Sequence, residues 1–267
     1  MNNAATAAGE DEVLYDVREG IARLVFNRPQ ARNALTFAMY ERLAEICQRI
    51  DEDPSVKAMI LTGAGDQAFA AGTDISQFRT FKTPQDGIDY EERMDRVLGT
   101  LERCRVPTVA AVSGACTGGG AGIALACDLR IATRSAKFGF PIARTLGNCL
   151  SMANYARLAG VIGAARTKEV IFTARLIDAA EALSVGLVSE VVEDAAALAA
   201  RADALARLIA GHAPLTLQAT KEALRRLQTR LGRDEGKDLI LMCYTSQDFR
   251  EGMDAFLNKR PAKWTGR

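Results

Sequence analysis

Two short runs of small residues are the parts of this chain best suited to chemistry. The first is Gly118-Gly119-Gly120-Ala121-Gly122, between an apolar strand-like run and a helix-like one. Consecutive glycines let backbone approach a ligand closely, and a helix starting there points free N–H groups and its positive dipole end outward. The second is Ala70-Ala71-Gly72-Thr73-Asp74, which also follows a strand-like run. Were the two turns to converge, each would contribute one N–H to a two-donor hole for an oxyanion or enolate, worth several kcal/mol in catalysis. The glycine run is not a phosphate loop, because no Gly-Lys-Ser/Thr follows it. It also misses the dinucleotide fingerprint, whose third glycine would stand one residue later and be followed by a suitably placed acid. Taken alone, tight helix–strand packing explains the glycines about as well. Asp74 reads more readily as an N-cap for the segment starting at Ile75 than as a functional acid.

Other chemistries are restricted by residue counts. The single histidine, His212, nearly excludes a histidine-rich metal site and leaves one residue for any Ser-His-Asp or Cys-His mechanism. It lies in Ala210-Gly211-His212-Ala213-Pro214, a break between helical runs, and reads as a polar turn residue. The six cysteines form no Cys-x-x-Cys pair, which fits reduced, mostly buried thiols and no metal centre. With 34 Lys+Arg against 33 Asp+Glu, the net charge of +1 provides no field to hold nucleic acid or an anionic membrane, so any anion site is local. An apolar fraction of 48% with 25% charged residues is ordinary globular composition. No apolar stretch of about 18 residues suggests a transmembrane helix. Residues 1–12 lack a basic-then-apolar leader and are expected to be a disordered lead-in, with the protein cytoplasmic.

The elements that must position the turns follow from hydrophobic periodicity. Val13–Val17 and Ile21–Phe26 flank Glu19-Gly20 as a hairpin, and Thr36–Ile50 is helical through Phe37, Tyr40, Leu43, Ala44, Cys47 and Ile50. Val56–Thr62, Val106–Val112, Leu129–Ala132 and Leu187–Val192 read as further strands. Helices are expected over Gly87–Arg103, from the glycine run to Cys127, over Val161–Phe172, and from an Asp178 cap through Ala182. Strand, small-residue turn and helix recur, which implies a mainly parallel α/β core over 13–194. Beyond Asp194, the runs Ala195–Ile209, Pro214–Leu231 and Asp234–Phe256 are amphipathic and strand-free, giving a helical region over 195–267 that is either a small subdomain or an oligomer arm.

Four ordered motifs resemble the crotonase, or enoyl-CoA hydratase/isomerase, family: Phe69-Ala70-Ala71-Gly72-Thr73-Asp74-Ile75, Val112 through Gly120, Cys127-Asp128-Leu129-Arg130-Ile131-Ala132, and Lys137-Phe138-Gly139-Phe140-Pro141. The likeness extends to Asn27-Arg28-Pro29, Asn33-Ala34-Leu35, Ala179–Val188 and Phe256-Leu257-Asn258-Lys259-Arg260-Pro261, nearly the whole chain. It implies a spiral of ββα repeats with a C-terminal helical region that packs homotrimers, often as dimers of trimers. It further implies an acyl-CoA thioester substrate, with coenzyme A entering as part of that substrate and not as a bound cofactor. The carbonyl oxygen would be held by the N–H groups of Thr73 and Gly119, with Gly118 adjoining. Ala71 would lie against the adenine, Asp74 and Ile75 beside the pantetheine, and Gln30-Ala31-Arg32 near the nucleotide end. Phe256 and Lys259 would reach the coenzyme from the C-terminal region; Arg32 and Lys259 suit its 3'-phosphate, although without the likeness each would read as a solvated surface charge.

The chain departs from the hydratase pattern where that pattern does its acid–base work. The family's two water-straddling glutamates correspond here to Gly122 and to Ile142 or Ala143. Each such group typically contributes a factor of about 100 to 10,000, so hydration is not expected. The following turn, Arg144 to Ser151, where other members carry an acid, holds no Asp or Glu; Arg144, Asn148, Cys149 and Ser151 are its polar residues, and capping is their first reading. On the Gly87–Arg103 helix, one of Asp86, Asp89, Tyr90, Glu91 and Glu92 could turn inward in a closed state, although such a run is usually a solvated face. Isomerisation, decarboxylation or thioester cleavage need fewer side-chain acids than hydration, and decarboxylation needs no base. Rival readings are a non-catalytic acyl-CoA binding protein and a serine-peptidase relative, the latter opposed by the lack of a histidine near the turns.

Overall fold

The computed structural model describes residues 12–228 and 236–265, so the expected lead-in lies outside the described residues apart from Glu12. β1 (Val13–Arg18) and β2 (Ile21–Phe26) form the antiparallel hairpin, and α1 (Phe37–Glu52) follows, with the Thr36 hydroxyl accepting from the Met39 N–H as its cap. Three repeats come next. They are β3 (Ala58–Gly63), β4 (Ala68–Ala70) and α2 (Pro84–Arg103); β5 (Thr108–Val112), β6 (Ala115–Thr117) and α3 (Gly119–Ala126); and β7 (Leu129–Thr133), β8 (Lys137–Gly139) and the short α4 (Ile142–Thr145). Each repeat places its first strand in one sheet and its second in another. The large sheet runs β1-β2-β3-β5-β7-β10, with β10 at Glu190–Val192, and is parallel from β2 onward; the small sheet runs β4-β6-β8-β9, with β9 at Ile177–Asp178. The chain thus winds as a spiral α/β fold.

Alternation along the buried strands shows how the large sheet is sandwiched. Met59 and Leu61 of β3, with Ala110 and Val112 of β5, face a core completed by Leu43, Ile46, Val97 and Leu101 of α1 and α2. Their neighbours Ala58, Ile60, Val109 and Ala111 point the other way, against Leu198, Ala202, Leu205 and Ile209. Such near-continuous apolar strands are what a parallel sheet covered on both faces requires.

Helices α5 (Met152–Ile162) and α6 (Ala164–Thr173) replace the single helix expected over Val161–Phe172. They meet at Gly163, whose φ of 79° a helix interior does not admit, and the Ser151 hydroxyl caps α5 by accepting from the Asn154 N–H. α7 (Ala179–Ser184) has the expected Asp178 cap. α8 (Ala195–Ala210), capped by Asp194, supplies Leu198 to Ile209 and so covers the outer face of the large sheet. After α9 (Pro214–Gln228), the helix expected over Asp234–Phe256 is two: α10 (Lys237–Tyr244) and α11 (Gln247–Leu257). Ser246 separates them, its hydroxyl accepting from the Phe249 N–H to start α11; Leu231 and Asp234 lie outside the described residues. α10 and α11 fold back over their own chain, joining Phe78, Ile88, Leu146 and Cys149 in a third apolar cluster through Ile240, Tyr244 and Phe249. No helix among the described residues is long and apolar enough to cross a membrane.

Candidate active site

The two small-residue turns do converge, for a topological reason. β4 and β6 are parallel neighbours, pairing Ala68 with Ala115 and Ala70 with Cys116, so the turns that leave them emerge at one end of the small sheet. Gly118, at φ 51°, caps α3 and donates its N–H to the Gly139 carbonyl at 2.9 Å, while Gly72 stands at φ 105°. Approach is close enough that a Cβ on Gly72 would lie 3.4 Å from the Thr117 carbonyl oxygen and 3.9 Å from the Gly119 nitrogen. A Cβ on Gly120 would sit 2.2 Å from the Ala70 carbonyl oxygen. Neither the Thr73 nor the Gly119 N–H is a donor in the hydrogen bonds of the described residues. As the first helical residue of α3, Gly119 has no intrahelical acceptor.

A second loop is stitched to the Thr73 turn. Ala71 donates to Arg32 (3.1 Å), Leu35 to Gly72 (2.8 Å) and Asp74 to Leu35 (2.8 Å), all through backbone. Fully buried Asn33 fixes this loop: its amide donates to the carbonyls of Ala64 and Ala68, and its Oδ1 accepts from the Arg28 N–H. Arg32 thereby stands beside Ala71, and Gln30 and Arg32 are exposed. Asp74 is a cap, as the residue type suggested: it accepts from the Ser76 N–H at 3.1 Å and also pairs with Arg28 at 3.1 Å. Burial pushes its carboxyl up, but the Ser76 and Arg28 hydrogen bonds outweigh it and hold the group below the usual range. Phe256 and Lys259 do not join this group. Both are exposed at the end of α11, and no hydrogen bond, ion pair or ring contact of the described residues ties them to Gln30–Arg32.

Around the turns the structure adds groups that the glycine motifs do not disclose. The Tyr40 hydroxyl lies where a Gly119 side chain would begin, 1.8 Å from a Cβ placed there. It bonds to Thr73 Oγ1 at 2.8 Å, and Thr73 Oγ1 bonds to the Tyr90 hydroxyl at 2.8 Å. Three hydroxyl protons serve two hydrogen bonds here, so this three-oxygen chain leaves one proton to donate elsewhere. Rings close over it: Tyr90 meets Phe78 at 4.9 Å, and Phe78 meets Phe249 of α11 at 6.2 Å.

Of the acidic run on α2, Glu91 alone is buried, at 4% exposure. It accepts a hydrogen bond from the Tyr244 hydroxyl of α10 at 2.6 Å, and Asn148 donates to that same hydroxyl at 3.2 Å. Burial pushes the Glu91 carboxyl up to about 8, with the Asp95 charge adding to the rise and the Tyr244 bond opposing it. Asp86 is instead the capping-box partner of Thr83, while Asp89 and Glu92 are exposed. Gly122 faces Leu98 and Asn154, 3.3 and 3.7 Å from a Cβ placed on it, and Ile142 is buried in the core, so neither position supplies a carboxylate. Ser151 bonds Asp95 at 2.7 Å besides capping α5. His212 is exposed, and no cluster of metal-ligating side chains occurs among the described residues.

Comparison with known proteins agrees with this architecture. Residues 16–267 match the family model described as enoyl-CoA hydratase/isomerase. The chain is 34% identical over 255 residues to the short-chain-enoyl-CoA hydratase of Clostridium acetobutylicum, covering 94% of this chain and 96% of the relative. Among solved structures it resembles an enoyl-CoA hydratase/carnithine racemase from Magnetospirillum magneticum, with TM-score 0.78 and 34% identity over 96% of each chain. A methylmalonyl-CoA decarboxylase in complex with 2-nitronate-propionyl-CoA superposes with TM-score 0.87 and 27% identity, over 96% of this chain and 99% of the other. With its spiral fold, paired small-residue turns and full-length match, the chain belongs to the enoyl-CoA hydratase/isomerase family of acyl-CoA-processing enzymes.

Proposed function

We propose that the Thr73 and Gly119 N–H groups form an oxyanion hole for the carbonyl oxygen of a coenzyme A thioester, and that the enzyme works through the thioester enolate without adding water. The observation carrying this reading is the convergence of two turns whose Thr73 and Gly119 N–H groups have no acceptor among the described residues. Two preorganised donors stabilise charge as it develops on oxygen, which lowers the barrier to any step that passes through an enolate. Gln30, Ala31 and Arg32 take the nucleotide end, Ala71 the adenine, Asp74 and Ile75 the pantetheine, and Gly118 the backbone beside the hole. Phe256 and Lys259 are free to approach the coenzyme from α11, and the assembly is a homotrimer or a dimer of trimers.

Within this chemistry, loss of carbon dioxide from a 2-carboxyacyl-CoA is the reaction the site supports best. It needs the hole but no water-activating pair, and Gly122 and Ile142 provide none. The likeness to a methylmalonyl-CoA decarboxylase favours the same choice. The deciding experiment offers the purified protein crotonyl-CoA and methylmalonyl-CoA in parallel. Carbon dioxide release without crotonyl-CoA hydration is expected, whereas rapid hydration with no decarboxylation overturns the reading.

A further inference from the structure

We propose that Glu91 is the group that passes a proton to and from the α-carbon of the bound thioester. The inference rests on the oxyanion-hole reading and adds to it the one component that Thr73 and Gly119 cannot provide.

Three observations converge on this residue. Its neighbour Tyr90 reaches Thr73 Oγ1 at 2.8 Å, so this turn of α2 lies against the hole. The Glu91 carboxyl is itself directed inward, almost fully buried, and is held by Tyr244, which Asn148 also contacts. Finally, the other acids on this side are engaged elsewhere. Asp74 is fixed by Ser76 and Arg28, and Asp95 by Ser151 and Arg157. Asp86 is fixed by Thr83, and Glu92 pairs with Lys237 at the surface.

The Glu91 charge is felt by the phenols that line the hole. Burial, and to a smaller extent the Glu91 charge, push the Tyr40 phenol above its ordinary value, and it is the Tyr40 hydroxyl that lies against Gly119. The titratable groups facing Glu91 are Tyr90 and Asp95 on its own helix, Tyr40, Tyr244, Tyr155 and the adjoining Cys149–Cys243 thiols. None is a cation. Arg157 is occupied by Glu102 and Asp95. Glu91 is therefore protonated near neutral pH, the state needed to give a proton to an enolate. In that step the Glu91 O–H bond breaks as the α-carbon C–H bond forms, the enolate reverts to the thioester carbonyl, and solvent reprotonates the carboxylate. The reverse step exchanges α-protons with solvent.

Butyryl-CoA in deuterium oxide tests the proposal, with α-proton loss followed by NMR and binding measured separately by calorimetry. The wild-type protein is expected to exchange the α-protons, and E91Q, which keeps an acceptor for Tyr244, to bind equally while exchanging about 100-fold more slowly or less. In Y244F the pH at which exchange rises is expected to move upward, because the phenol that stabilises the ionised carboxyl is gone. Exchange by E91Q at the wild-type rate overturns the assignment of Glu91. So does a wild-type protein that binds butyryl-CoA and exchanges nothing. If the wild-type protein fails to bind the thioester at all, the oxyanion-hole reading falls first and takes this inference with it.

Discussion

Replacing Glu91 with glutamine should make the protein more stable as pH rises, by an amount the structure sets. The carboxyl is held at about 8 in the folded chain against 4.5 for the ordinary group. Between those values the folded state binds a proton that the unfolded state has released, so stability is fully present below about pH 4.5 and declines as pH rises toward 8. Each tenfold difference in proton affinity is worth about 1.4 kcal/mol, which gives a loss of about 3 kcal/mol at pH 7 and about 5 kcal/mol above pH 8. Glutamine has no such titration. The E91Q stability minus that of the wild type should therefore climb by these amounts from acid to alkaline pH, while all other titrating groups cancel in the difference. Urea denaturation of both proteins at pH 4.5, 7 and 9, at one fixed protein concentration so that assembly contributes equally, measures it. Two parallel pH curves would refute the buried, neutral Glu91.

Three further outcomes follow from the same geometry. Gly119→Ala puts a Cβ 1.8 Å from the Tyr40 hydroxyl and should abolish thioester turnover. Adding Tyr40→Phe should restore part of it, since the next atoms, Thr73 Oγ1 and Tyr40 Cζ, are 3.1 and 3.2 Å away; no recovery in a steady-state assay would count against Tyr40 as the obstacle. Thr73→Val leaves two inward-facing phenols without their shared partner and should lower stability by about 1–3 kcal/mol in thermal melts, while Thr73→Ser should lose much less. Gly87→Val sets a side chain 2.7 Å from Tyr244 Cβ and should lift α10 off α2. Activity should then fall and limited proteolysis should cut before α10 sooner, with the melting of the remaining fold little changed; wild-type proteolysis kinetics would show that α10 does not depend on that contact.

Much of the site was readable because its signals are local. Small residues at the ends of β4 and β6 announce turns in any context, and Asp74 and Asp178 cap the segments they precede because a short oxygen-bearing side chain reaches back to its own backbone. The breaks at Gly163 and Ser246 carried the same kind of mark but sat inside runs whose apolar spacing continued through them. Glu91 was harder. An acidic run from Asp86 to Glu92 looks solvated, and what turns one member inward is a phenol 153 positions later. A local sign was nonetheless present, since Ile88, Glu91, Met94 and Leu98 recur at helical spacing and all four are buried. The Tyr40–Thr73–Tyr90 chain had no such sign, because three separate elements meet only in the folded protein.

The backward fold of α10 and α11 divides the molecule into two levels of resilience. The strands of the large sheet are locked by their own ladders and covered on both faces, whereas the Tyr244–Glu91 bond joins groups 153 positions apart through helices that rest on a small, separate apolar cluster. Partial opening of such a cover requires far less free energy than global unfolding. Mild denaturant or warmth should therefore silence the enzyme while its circular dichroism is still nearly native, and cooling or dilution should return activity without refolding the spiral. The temperature at which this enzyme stops working is then a property of its last two helices and not of its core.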